Sequence, residues 1–174
     1  MHLPATSHRY GYTPDAQIVE LLYGNGAFTM LIVLPHENRT LADVATGLTS
    51  ARWAEWTAAL ANRSVPLTLP KFRVEYTRTL KDDLSALGMG VAFTDRADFS
   101  GMAGQPGDLL ITRVIQKTFV DVNEEGTEAA AATVVGIGLT SAPQVLEINR
   151  PFLFAIRERL SGTIFFLGQI TRIP

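Results

Sequence analysis

The chain has 174 residues and a formal net charge of −2; it is 47% hydrophobic and 18% charged, which fits a packed globular core rather than a disordered chain. It contains no cysteine, so disulfides and thiolate chemistry are excluded, and its 15 basic residues are scattered, which points away from nucleic-acid or membrane partners. No apolar run reaches the roughly 18 residues of a membrane span, and MHLPATSHRYGY lacks the apolar centre of a signal peptide.

In chain order, residues 1–15 read as loop or a frayed end. AQIVELLY (16–23) and AFTMLIVL (27–34) read as two strands joined by Gly24-Asn25-Gly26, a hairpin turn signal. Three short amphipathic helices are predicted. TLADVATGL (40–48) puts Leu41, Val44, Ala45 and Leu48 on one face, with Thr40 and Asp43 at capping-box spacing. Residues 50–62 align Trp53, Trp56 and Leu60, an aromatic pair best read as core. TLKDDLSALG (79–88) aligns Leu80, Leu84 and Leu87 and stops at Gly88. VPLTLPKFRVEYT (65–77) alternates like a strand with a proline interruption. LLITRVIQKTFVDV (109–122) reads as one long strand, with Ile111, Ile115 and Phe119 sharing a face with Arg113, Lys117 and Asp121. QVLEIN (144–149), PFLFAIRER (151–159) and TIFFLGQI (163–170) complete about seven strands, an α+β pattern dominated by antiparallel sheet.

Catalytic patterns are missing. Histidine occurs only at positions 2, 8 and 36, and without cysteine or a metalloprotease helix there is no zinc signature. No nucleophile elbow surrounds Ser100 or Ser161, so His36 reads as a surface residue. The fragments YGNG and GMG have neither Walker nor Rossmann spacing. Asp121, Asn123, Glu125 and Gly126 imitate the start of a calcium loop, but its twelfth position is Ala132 instead of the bidentate glutamate. The expectation is a protein that is not an enzyme and needs no metal or cofactor.

EEGTEAAAATVVGIG (124–138) fits neither helix nor strand. Four consecutive alanines favour helix, yet Gly126, the β-branched Thr133, Val134 and Val135, and Gly136 break it; alanine and glycine are also weak strand formers. The stretch suits more than one conformation.

Set after VIQKTFVDVN and before INRPFLFAIRERLSGTIFFLGQI, this run resembles the hinge and C-terminal signature of the serpins. FTMLIVLP, LPKFRVEY and the LGM, AF and ADFSGM pieces agree in order, so the resemblance covers nearly all of the chain. It implies the C-terminal half of a single serpin domain over 1–174: a multi-sheet, mainly antiparallel α+β fold with an exposed reactive-centre loop at about 124–143. It also implies an inhibitor of serine proteases that acts as a suicide substrate. The protease attacks the loop and forms an acyl-enzyme, and the loop then inserts as a strand into the main sheet before water releases it.

The hinge, Glu124, Glu125, Gly126, Thr127, Glu128, Ala129, Ala130, Ala131, Ala132 and Thr133, suits that switch. On insertion Thr127, Ala129, Ala131, Thr133 and Val135 would share the inward face, small enough for a core without a prepared cavity. Family spacing from Gly126 and from Pro151 converges on a reactive bond at Thr140–Ser141, with Leu139 as the register alternative. No lysine or arginine lies between Thr118 and Asn149, so elastase-, subtilisin- or chymotrypsin-like proteases are expected and trypsin-like ones are not. The resemblance also implies a loop-base ion pair between Lys71 and Glu124. Gln116 stands in the sheet-opening region where many serpins have histidine; it cannot charge near neutral pH. An extracellular setting, inactivity of this chain alone and a complementary N-terminal fragment are further expectations. The rival readings are a non-inhibitory serpin-fold binding, storage or chaperone protein, or an inactive fragment.

Overall fold

The structure, a computed structural model, describes residues 2–3, 7–123 and 145–173. The chain forms two compact units, residues 1–72 with 122–174 and residues 73–121.

The first unit is built on the expected hairpin. β3 (Ala16–Tyr23) and β4 (Phe28–Pro35) pair antiparallel from Ala16↔Pro35 to Tyr23↔Phe28. Gly24 (φ 52°) and Gly26 (φ 81°) supply the left-handed backbone of the turn, and the Asn25 side chain accepts from the Ala27 N–H. β2 (Ser7–Tyr12), β5 (Ala61–Ser64), β10 (Phe152–Glu158) and β11 (Ile164–Ile170) extend this hairpin into a six-stranded sheet in the order β11-β10-β4-β3-β2-β5. A second sheet joins β1 (His2–Leu3), β6 (Leu67–Thr68) and β9 (Leu146–Glu147), its β6–β9 pair parallel.

Both helices of this unit obey their capping signals. Around α1 (Leu41–Thr46) the Asp43 N–H donates to Thr40 Oγ1 while the Thr40 N–H donates to Asp43, closing the capping box. α2 (Ser50–Ala58) is capped by Thr49 and ends earlier than the predicted Asn62, because residues 61–64 leave the helix to pair with β2. Trp56 is fully buried with Ile18, Leu31, Val33, Val44 and Leu153, and Trp53 packs against this cluster, so the aromatic pair is core. On the opposite face of the sheet Phe72 packs edge-on against Phe152 and at a tilt against Phe154.

Residues 7–12, read from sequence as loop, form β2. SHRYGY has weak strand propensity of its own and gains its conformation from ladders to β3 on one side and β5 on the other. With β1, β5 and the splitting of 65–77 into β6 and a later strand, the described residues hold eleven strands, not seven.

In the second unit β7 (Phe72–Thr79) and β8 (Ile115–Val122) form a two-stranded sheet. α3 (Lys81–Leu84) runs on into a wider turn at Ser85–Met89, kinked at Gly88 (φ 101°), and a tight turn at Gly90–Phe93. Two expectations need correction. Leu87 is 81% exposed, because the chain widens after Leu84 and loses the helical face. The predicted strand at 109–122 begins only at Ile115: the Ile111 N–H donates to the Ala92 carbonyl, and Leu109, Leu110 and Ile111 form a small apolar hollow with Phe99 and Met102.

Candidate functional site

β8 alternates, with Val120 and Val122 buried and Ile115, Lys117, Phe119 and Asp121 exposed. Among the described residues it has one sheet partner, β7, so its other edge presents backbone donors and acceptors without a ladder. Phe119, 54% exposed, is covered by the Arg73 guanidinium 4.8 Å above its ring, and Arg73 is in turn held by Glu75 at 2.6 Å. Gln116 is exposed and shares the face of Val120 and Val122. Lys71, also exposed, belongs to the first unit. Glu124, the rest of the hinge through Thr133, and Leu139, Thr140 and Ser141 lie outside the described residues.

Two further clusters gather residues that no motif linked. In the six-stranded sheet, Glu20 of β3 is 1% exposed and stands among β2, β4 and β10. It accepts from Arg157 at 2.6 Å, from Arg9 at 2.7 Å and from the Thr29 hydroxyl at 3.2 Å. Burial pushes its pKa up, but hydrogen bonds and charge from Arg157 and Arg9 outweigh this and hold it below the ordinary carboxylate value. The strand register could have revealed the cluster, since Arg9↔Glu20 and Arg157↔Thr29 are direct cross-strand pairs.

The second is an open polar cleft of about 650 Å³ in the first unit. The end of β2 contributes Tyr12 and the start of β3 Gln17, the exit of β4 contributes His36 and Glu37, and the returning chain contributes Glu147 and Arg150. His36, read from sequence as a surface histidine, is half-buried. Its Nε2–H donates to the Thr13 carbonyl at 2.8 Å and its ring lies 4.6 Å from that of Tyr12. Arg150 Nε donates to the Pro35 carbonyl at 2.8 Å, and Asn149 bridges Arg150 and Glu147. These groups are hydrogen-bond and charge partners for a ligand. Among the described residues no hydroxyl is hydrogen-bonded to His36, whose Nε2–H is taken by the Thr13 carbonyl.

A family profile described as Serpin (serine protease inhibitor) matches residues 1–173, and the chain belongs to the serpin family. It is 37% identical to a serine protease inhibitor of Cyanea capillata over 156 residues, 88% of this chain and 41% of that protein. It is 38% identical to the leukocyte elastase inhibitor of Homo sapiens over 173 residues, 93% of this chain and 45% of that protein. The crystal structure of Serpin48, a highly specific serpin of the insect Tenebrio molitor, superposes with a TM-score of 0.79 at 35% identity, covering 100% of this chain and 46% of that one. The chain thus spans less than half the length of these relatives and is a partial serpin domain. The family match also revises one expectation. A bare statement that the chain is not an enzyme gives way to a positive class, since the family description is that of a protease inhibitor.

Proposed function

We propose that the protein is the loop-bearing C-terminal half of an inhibitory serpin that traps serine proteases by cleavage near Thr140–Ser141 and insertion of residues 124–133 beside β8. The observation that carries this reading is the edge of β8, which has one sheet partner among the described residues and ends at Val122, immediately before Asn123 and the small-residue run. A strand entering there would continue the chain it springs from and satisfy an open ladder. Thr127, Ala129, Ala131 and Thr133 supply the small inward face, while Lys71 and Glu124 would pair at the loop base.

The absence of basic residues between Thr118 and Asn149 and the relative named leukocyte elastase inhibitor both favour an elastase-like target over a trypsin-like one. The chain alone is inactive in this reading and requires a complementary N-terminal half. The test mixes the two halves with leukocyte elastase: a stable high-mass band on SDS electrophoresis and a cut after Thr140 are expected. Cleavage without a covalent complex would instead indicate a non-inhibitory serpin-fold protein, and selective reaction with trypsin would refute the target class.

A further inference from the structure

The polar cleft between Tyr12, His36, Glu37, Glu147 and Arg150 has no part in cleavage or insertion as proposed above, yet the chain ties it closely to the reactive bond. Val145 lines the cleft. Thr140 precedes Val145 by five residues, and five residues span at most about 18 Å whatever their conformation. A protease gripping a peptide bond buries about 800 Å² of its inhibitor, a patch on the order of 16 Å in radius. Unless the intervening residues are almost fully extended, a protease seated on Thr140–Ser141 reaches the rim of the cleft.

The cleft is also furnished for contact. Tyr12 is 63% exposed and rests on the His36 ring, which is fixed by its bond to the Thr13 carbonyl; a large ring held rigid gives contact area at little entropic cost. Its charges are unbalanced. Arg150 already donates to the Pro35 carbonyl and to Asn149, so its donors are partly spent inside the protein. Glu37 and Glu147 are both exposed, and both face the opening. Asn149 likewise donates to Glu147, and bonds to neutral groups leave each charge in place, so the cleft sets two carboxylates against one guanidinium and is negative on balance.

We propose that this cleft is a secondary docking surface for the target protease, taking a surface loop that carries lysine or arginine against Glu37 and Glu147 and packs on Tyr12. The proposal rests on the reactive-bond reading above, and it adds a determinant of target choice outside the loop sequence. Charges at the rim of an interface act chiefly on the rate of encounter and are screened by salt.

The test needs neither insertion nor a second half, because the 174-residue chain is followed simply as a substrate of leukocyte elastase. The readout is kcat/KM for the cut after Thr140, measured by mass spectrometry at low and high salt. The parent is compared with Glu37→Lys/Glu147→Lys, with Tyr12→Ala, and with Glu55→Lys on α2, a residue that does not line the cleft. A synthetic peptide of residues 134–146, which lacks the cleft, calibrates the loop sequence alone. The double charge reversal is expected to lower kcat/KM about tenfold at low salt and much less at high salt. Tyr12→Ala is expected to lower it at both, and Glu55→Lys to leave it unchanged. A double variant cut as fast as the parent, or faster, overturns the docking surface while the reactive bond stands. A chain and peptide that are not cut between Leu139 and Ser141 overturn the reactive-bond reading and this proposal with it.

Discussion

Glu20→Ala is expected to be among the most damaging single changes in the six-stranded sheet. The carboxylate is 1% exposed and neutralises Arg157, whose side chain is 9% exposed and whose Nε has no hydrogen-bond partner among the described residues. Removing Glu20 strands that guanidinium in the sheet interior, and breaking a buried pair from one side typically costs about 3–5 kcal/mol. Arg9 keeps 29% of its side chain exposed and can turn to water, so Arg9→Ala should cost clearly less than Arg157→Ala. Urea unfolding followed by tryptophan emission reads this directly, since Trp56 is wholly buried on the same face of the sheet. The pH dependence follows from the depressed pKa. The stabilisation is complete above the ordinary carboxylate value of 4.5 and is lost as pH falls through the lower folded value, so the gap between parent and Glu20→Ala should narrow in acid. A Glu20→Ala loss below about 1 kcal/mol, or a larger loss for Arg9→Ala than for Arg157→Ala, would refute the argument.

Three further outcomes are expected. Gly168→Ala places a methyl group 2.7 Å from the Phe154 ring, which itself packs on Phe72, and should cost about 1–3 kcal/mol in urea unfolding; an unchanged midpoint would mean that the ring shifts freely. The Ser161 side chain, ahead of the Leu160 and Ser161 N–H groups, hydrogen-bonds Glu158 in the β10–β11 turn and holds its pKa down to about 2, so its carboxyl NMR resonance should titrate there and its hold on the turn should be lost only as pH falls through that value; titration near 4.5 would contradict the turn geometry. Thr127→Arg, tested with an N-terminal half, should convert trapping into plain cleavage because insertion would begin by burying a charge, and undiminished trapping would show the inward face to be misassigned.

The elements that local chemistry determines were legible in the sequence. Gly24-Asn25-Gly26 fixed the β3–β4 turn, Thr40 with Asp43 set the start of α1, and the spacing of Trp53 and Trp56 marked a core face. What was illegible depends on distant partners. SHRYGY becomes a strand only because β3 and β5 flank it, and LLITRV fails to be one because Ile111 finds the Ala92 carbonyl. The site divides in the same way. The proposed hinge is a local pattern of small residues at alternate positions and lies outside the described residues, whereas β8, the strand before it, was legible in its alternation from Ile115 onward. The cleft leaves no such trace, since Tyr12, His36 and Arg150 meet only after three separate turns of chain have been brought together.

If the loop inserts beside β8 as proposed, half a domain should fail as a trap. In a strand, about half of the backbone donors and acceptors face each neighbour. An inserted segment paired with the eight residues of β8 alone would gain about eight ladder bonds, each contributing roughly 0.5–1.5 kcal/mol net. Ordering those eight residues costs about 1–2 kcal/mol each in backbone entropy, so a one-sided ladder is near balance or unfavourable. A second neighbouring strand would roughly double the bonds without adding entropy cost, and layers packed over the sheet would bury the small inward side chains. Trapping must outrun deacylation, which requires a large and rapid gain on insertion. In the proposed switch the small residues of 127–133 would remove the steric obstacle to entry, but on this arithmetic the driving force would come from what lies on the far side of the inserted strand.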